Sequence, residues 1–208
     1  ERNMDVKLYI TQLAAITVMF PAALVVAAWL WSAASKKIAL LWVAVLISGY
    51  FIVGISKVLF KGWGIGLESL NIAVFSGHAM NACLVISVMM SLLFQQLDNR
   101  LRWPALGAGL IATWWFSVNY VGQTIHPLPE AVAGALIGSV AACIFLLKLE
   151  KKHIGRITTP LMVTGLAVVL ICSLIPKYTA EGFLDQIATS LSGGEHAFKR
   201  AHWRGEPG

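Results

Sequence analysis

Residues 75–97 read FSGHAMNACLVISVMMSLLFQQL, and residues 126–149 read HPLPEAVAGALIGSVAACIFLLKL. Each stretch carries a histidine at the point where a long apolar run begins. Runs of about 20 apolar residues are long enough to cross a bilayer as α-helices. Backbone polar groups in lipid must be satisfied within the segment, so the runs are read as helices and not as strands. Four more such runs lie at 8–31, 38–60, 103–122 and 158–176. Composition agrees. Of 208 residues, 58% are hydrophobic and only 12% charged, with a mean hydropathy of +0.74; a soluble domain carries about twice that charge. The expected fold class is all-α: a polytopic membrane protein, a six-transmembrane-helix bundle, with a short amphipathic C-terminal tail.

The expected organisation is a transmembrane domain over 1–177 and a tail over 178–208. The first run is too long for a signal-peptide core, and no A-x-A cleavage pattern follows it. Pro21 lies inside that run and predicts a kink. Pro104 opens the fourth run, where a missing amide is tolerated. Loop 61–76 is glycine-rich and then mildly apolar, which suits a short interfacial helix. Trp63 and Trp103 stand at run ends, as interfacial aromatics do. In the tail, Phe183, Leu184, Ile187, Ala188 and Leu191 share one helical face and Gly193-Gly194 comes directly after, the pattern of a surface helix with a glycine stop. The basic end beyond it is expected to be mobile. Cys83, Cys143 and Cys172 all fall in apolar runs without a CxxC, which reads as packed free thiols.

The net charge of +6 belongs to residues flanking the runs, so lipid headgroups and topology explain it better than nucleic acid does. With six spans, loops 32–37, 98–102 and 148–157 share one side. They hold Lys36, Lys37, Arg100, Arg102, Lys148, Lys151, Lys152 and Arg156, eight basic residues against five near the spans on the other side. That bias makes the three-loop side cytoplasmic. Both histidine motifs then face outward, into the periplasm if the membrane is a bacterial inner membrane.

A histidine that attacks phosphorus needs one ring nitrogen free and the other held by a hydrogen bond. Glu130 lies one helical turn after His126 and can supply that hold if a helix starts near Pro129. In Ser76-Gly77-His78 the serine offers a hydroxyl, the glycine a close backbone approach and the histidine a proton for a leaving oxygen. An N-capping serine beside an interfacial histidine would look the same. Lys57 and Lys61 stand one turn apart at the outer end of the second run, as phosphate-clamping cations or as snorkelling side chains.

This order of residues resembles the PAP2 (type 2 phosphatidic acid phosphatase) superfamily, whose pattern is K-x6-R-P, then P-S-G-H, then S-R-x5-H-x3-D. The likeness covers about residues 57–134. It implies an integral membrane phosphatase or phosphotransferase that hydrolyses a phosphomonoester or diphosphate of a lipid through a phosphohistidine. His126 would be the nucleophile, Glu130 its orienter in place of Asp, and His78 the general acid. Lys57, Ser76 and Gly77 would hold the phosphoryl oxygens, and Ala133-Gly134 after the acid also suits the family. No metal or other cofactor is implied, and the implied partners are a lipid phosphate or diphosphate and membrane lipid, with no nucleic acid.

The chain departs from the pattern at Gly64-Ile65 for Arg-Pro, Phe75 for Pro, and Asn119-Tyr120 for Ser-Arg. Both motif arginines are missing. A guanidinium makes a two-point phosphate contact that Gly and Tyr do not replace, and losing such a group costs on the order of 10²-fold in rate. Lys61, Arg2, Lys199, Arg200 and Arg204 lie on the side where a substitute is needed, and Asn119 and Tyr120 still offer neutral donors. The alternative is a weakened or inactive relative that binds phospholipid or a membrane partner. A transporter would place charge within its spans, and spans three to six hold almost none. No phosphate-binding loop, dinucleotide fingerprint or zinc motif is present.

Overall fold

A computed structural model of the chain describes the backbone of residues 2–150, 154–175, 181–194 and 196–200, with side chains from Val6 onward. Among the described residues the chain is helical between its turns, and the one pairing of extended backbone is a bridge between Leu67 and Ile72. Helix α1 (Arg2–Gln12) leads into α2 (Ile16–Ala33), and α3 is Lys36–Trp63. Helix α4 (Gly77–Asn81) continues through a π-helical turn at Ala82–Ile86 into α5 (Ser87–Gln95). Helix α6 (Arg102–Phe116) continues through a second π-helical turn at Ser117–Val121 into the single turn α7 (Gly122–Thr124). Helices α8 (Leu128–Glu150), α9 (Thr159–Leu174) and α10 (Glu181–Ser192) complete the chain.

Among the described residues, four stretches are long and apolar enough to cross a membrane: Val6–Ala33, Lys36–Trp63, Gly77–Gln95 and Leu128–Glu150. The predicted run at 103–122 becomes α6 with its π-helical turn, and the run at 158–176 becomes α9, an apolar helix of 16 residues. Apolar side chains also point outward along the bundle, among them Phe51, Ile111, Leu136 and Val140.

The first run is interrupted at Leu13–Ala15, and α2 carries Pro21 within it. There the amides reach back three residues, to Ile10, Thr11 and Gln12. The Thr11 hydroxyl meanwhile bonds Lys7 O and faces Thr124 Oγ1 at 3.0 Å, which ties α1 to α7. Loop 61–76 forms no interfacial helix. Helix α3 takes its first three residues and ends at Gly64 (φ 71°). The chain then makes a 3-10 turn, Glu68–Leu70, closed by the Leu67–Ile72 bridge with Asn71 left-handed. Beyond α10, Phe198 and Arg200 make contacts with the bundle. The 177/178 boundary lies outside the described residues.

The core sits where α2, α3 and α8 meet. Trp42 is fully buried, donates its indole N–H to Ala23 O at 2.8 Å and meets Phe145 edge-on at 5.1 Å. Trp29 donates to Leu161 O at 3.1 Å and fastens α9 to α2. A buried indole needs such an acceptor. The turns after α2, α5 and α8 share one end of the bundle: Gly155 N donates to Ala33 O at 2.6 Å, and Ile157 N to Gln96 Oε1 at 2.8 Å. At the other end α3 finishes while α4 and α8 begin.

Those two beginnings are set level by glycine. Gly134 and Gly138 lie one turn apart on the face of α8 that meets α4, and a Cβ at either would run into a backbone oxygen, of Ser76 and Met80 respectively. Small residues spaced by four are what lets two helices approach this closely. The obstacle is main chain and cannot rotate away. Gly134→Ala is therefore expected to lose about 1–3 kcal/mol or more, read as a fall in the thermal midpoint in detergent. Gly107→Ala on α6, where a Cβ meets nothing within 4 Å, is expected to be neutral or slightly stabilising.

Candidate functional site

Ser76 caps the start of α4, its Oγ accepting from Ala79 N at 3.3 Å, and is fully buried. That cap aims the next two residues, Gly77 and His78, into a cavity of about 650 Å³. The same cavity is walled by Lys57 and Lys61 from the last turns of α3, His126 from the turn before α8, and Glu181 and Leu184 from α10. Its remaining wall is largely apolar, with Val53, Ile16 and Ile125. The His78 and His126 rings face across it, centroids 6.4 Å apart.

Pro127 and Pro129 bring the chain into α8 so that Glu130 lies in its first turn, and Glu130 N and Ala131 N both bond Pro127 O. Glu130 has no exposed surface. Its Oε2 lies 2.8 Å from His126 Nδ1. Its Oε1 accepts from the amides of Ala73 and Val74, each at 2.8 Å, and from the Arg200 guanidinium. A buried carboxylate is tolerable only with such compensation. A carboxylate accepts, so His126 donates through Nδ1, and in the neutral ring the lone pair is then on Nε2. His78 Nε2 is buried with no hydrogen-bond partner among the described residues.

Lys57 and Lys61 are one turn apart on α3, and Glu181 and Asp185 one turn apart on α10. The two pairs interlock: Lys57 with Glu181, and Lys61 with Glu181 Oε2 at 2.6 Å and Asp185 Oδ1 at 2.5 Å. A carboxylate of the chain's own tail thus lies between both cations of the cavity.

The structure brings together His126, Glu130, His78, Gly77, Lys57 and Lys61. It does not place the other candidates on the cavity. Ser76 is fully buried at the helix cap and does not line the cavity. Asn119 donates to Trp115 O at 2.9 Å, and the Tyr120 ring packs against Trp115 and Phe116. Both lie within the π-helical turn at Ser117–Val121 and do not line the cavity. Of the basic residues on this side, Lys61 lines the cavity and Arg200 reaches Glu130; the Arg2 side chain and Arg204 lie outside the described residues. Sequence reasoning missed Glu181 and the two backbone amides. The matched spacing of Lys57/Lys61 and Glu181/Asp185 was a usable signal for Glu181.

No protein-family model and no solved structure matches the chain. A relative in Klebsiella pneumoniae, the "Uncharacterized 22.5 kDa protein in cps region", is 27% identical over 154 residues, covering 72% of this chain and 73% of that protein.

Burial alone would raise the Glu181 carboxyl, but Lys57 and Lys61 more than reverse it and bring it from 4.5 down to about 2. A released α10 binds that proton first. The docking this contact provides is therefore complete above pH 4.5 and is lost as pH falls toward 2. A dye at Gly182→Cys, where added atoms meet open space, in a background without the three native cysteines, is expected to gain mobility over that window. With Glu181→Gln it should already be more mobile at pH 7 and should respond less to acid.

Proposed function

We propose that the chain is an integral membrane phosphatase or phosphotransferase. It acts on the phosphomonoester or diphosphate of a lipid, through a phosphohistidine, as the PAP2 resemblance implies. The observation that carries the reading is the geometry of His126: Nδ1 held by a buried carboxylate, Nε2 left with its lone pair, and a second histidine facing it across a cavity lined by two lysines.

In this reaction His126 Nε2 attacks phosphorus and the bond to the leaving oxygen breaks. His78 gives its proton to that oxygen. Water then attacks the phosphorus of the phosphohistidine, His78 takes a proton from the water, and inorganic phosphate leaves with His126 restored. Lys57 and Lys61 neutralise the phosphoryl oxygens once Glu181 yields them. The largely apolar wall suits an amphiphile whose tail stays in lipid. On a six-pass reading with the basic loops cytoplasmic, this end of the bundle would face the periplasm from an inner membrane.

Two observations favour a second reading, a relative that binds phospholipid or a membrane partner without turnover: Glu181 occupies both lysines, and both motif arginines are replaced. The two readings part on phosphate release by purified protein from a panel of lipid phosphates and diphosphates. Release is expected for the native chain and background only for His126→Ala. His78→Ala is expected to lower kcat roughly 10²–10⁴-fold. Release unchanged by His126→Ala would refute the phosphohistidine. A folded native protein that binds the lipids and releases nothing would establish the second reading.

A further inference from the structure

We infer that Arg200 is a positioning residue of this site, delivered by the C-terminal segment to fix the carboxylate that orients His126; the inference rests on the phosphohistidine reading. The motif arginines of the resemblance would contact the phosphoryl group itself. Here the guanidinium comes from 70 residues beyond Glu130 and meets Glu130 Oε1 instead.

Three features carry the guanidinium to that point. Helix α10 packs on the end of α3, with Ala188 buried between the two helices beside Gly62. After Gly193, also left-handed at φ 70°, the chain returns along α3, where Phe198 N donates to Lys61 O at 2.7 Å. The Phe198 ring meets Phe60 edge-on at 5.7 Å and fills the space beside Gly64, where a Cβ would lie 2.8 Å from it. Two residues later Arg200 reaches the buried carboxylate.

The consequence is electrostatic and geometric. Glu130 Oε1 otherwise has only two neutral amides, and Oε2 has His126. A full positive charge on Oε1 holds the carboxylate ionised and its plane fixed. The imidazole bonded to Oε2 is then held with Nε2 toward His78. A group acting through a carboxylate on the nucleophile affects the chemical step and leaves substrate binding almost untouched. Lysine gives charge without the planar fork, so it replaces Arg200 only in part.

The test compares Arg200→Ala, Arg200→Lys and His126→Ala in the full-length protein in detergent, on whichever lipid phosphate the native chain hydrolyses. Arg200→Ala is expected to lower kcat about 10- to 100-fold, as loss of an outer partner does, with KM nearly unchanged. Added guanidinium ion is expected to restore part of that rate in Arg200→Ala and none in His126→Ala, while Arg200→Lys lies between. A readout independent of turnover is the hydrogen-bonded Nδ1–H of His126, followed by NMR in histidine-labelled protein: present in the native chain, exchange-broadened in Arg200→Ala and recovered with guanidinium. Native kcat and an unchanged Nδ1–H signal in Arg200→Ala, with His126→Ala inactive, overturn the role of Arg200 and leave the phosphatase standing. An inactive native chain overturns both.

Discussion

A carboxylate with no contact with solvent has to be kept charged at the start of α8, and much of this end of the molecule is arranged around that requirement. An ion moved out of water costs several kcal/mol unless donors replace the water it leaves. Glu130 draws those donors from three places far apart in the sequence. The Ala73–Val74 backbone gives two amides, the turn before α8 gives His126, and the C-terminal segment gives Arg200. One charge therefore pins the loop after α3, the entry to α8 and the tail at a single point. It also explains why the loop at 65–75 is folded tightly by its Leu67–Ile72 bridge instead of lying along the surface: a helix there would turn the amides of Ala73 and Val74 into its own hydrogen-bond ladder.

The level of the site is set by packing, not by charge. Helices α4 and α8 run in the same direction, and backbone contact at Gly134 and Gly138 aligns Ser76 with the first and Met80 with the second. The Ser76 amide adds a bond to Glu130 O at 3.2 Å. His78, two residues into α4, and His126, just ahead of α8, are thereby placed across one cavity. Larger residues at either glycine would separate the axes and carry the histidines apart, even with every polar contact retained.

What was legible in the sequence was local. Apolar runs long enough to span a bilayer located α2, α3, α8 and the α4–α5 stretch, and the His126–Glu130 spacing announced a pair one turn apart. The Ser76 cap was legible too, though only as one of two readings of Ser-Gly-His. What stayed hidden concerns direction and distance. Spacing to the motif histidine drew attention to Asn119 and Tyr120, and nothing in composition marks the π-helical turn in which both lie. Loop 61–76 carried enough apolar residues for a surface helix, yet the demand for its amides at Glu130 decides its path. Arg200 stood among several basic residues on the same side. Only Phe198 settling beside Gly64 singles it out, and a contact between residues 134 positions apart has no signature in local pattern.

The tail acts on the site in two opposed ways. Through Glu181 it neutralises the two lysines that a phosphoryl group would need, and through Arg200 it completes the carboxylate that holds His126, the proposed nucleophile. For the proposed reaction the first contact has to open while the second stays closed. The geometry permits this because the contacts are separately anchored. Glu181 and Asp185 belong to α10 and are partly exposed to solvent, where a competing dianion can reach the lysines. Arg200 is fastened by Phe198 against Phe60 and the Lys61 carbonyl, on the other side of Gly193. A phosphate entering between Lys57 and Lys61 meets the same pair of cations that Glu181 now holds, with more charge to offer them. Such an exchange leaves the positive charge beside Glu130, and the lone pair of His126, where the chemistry requires them.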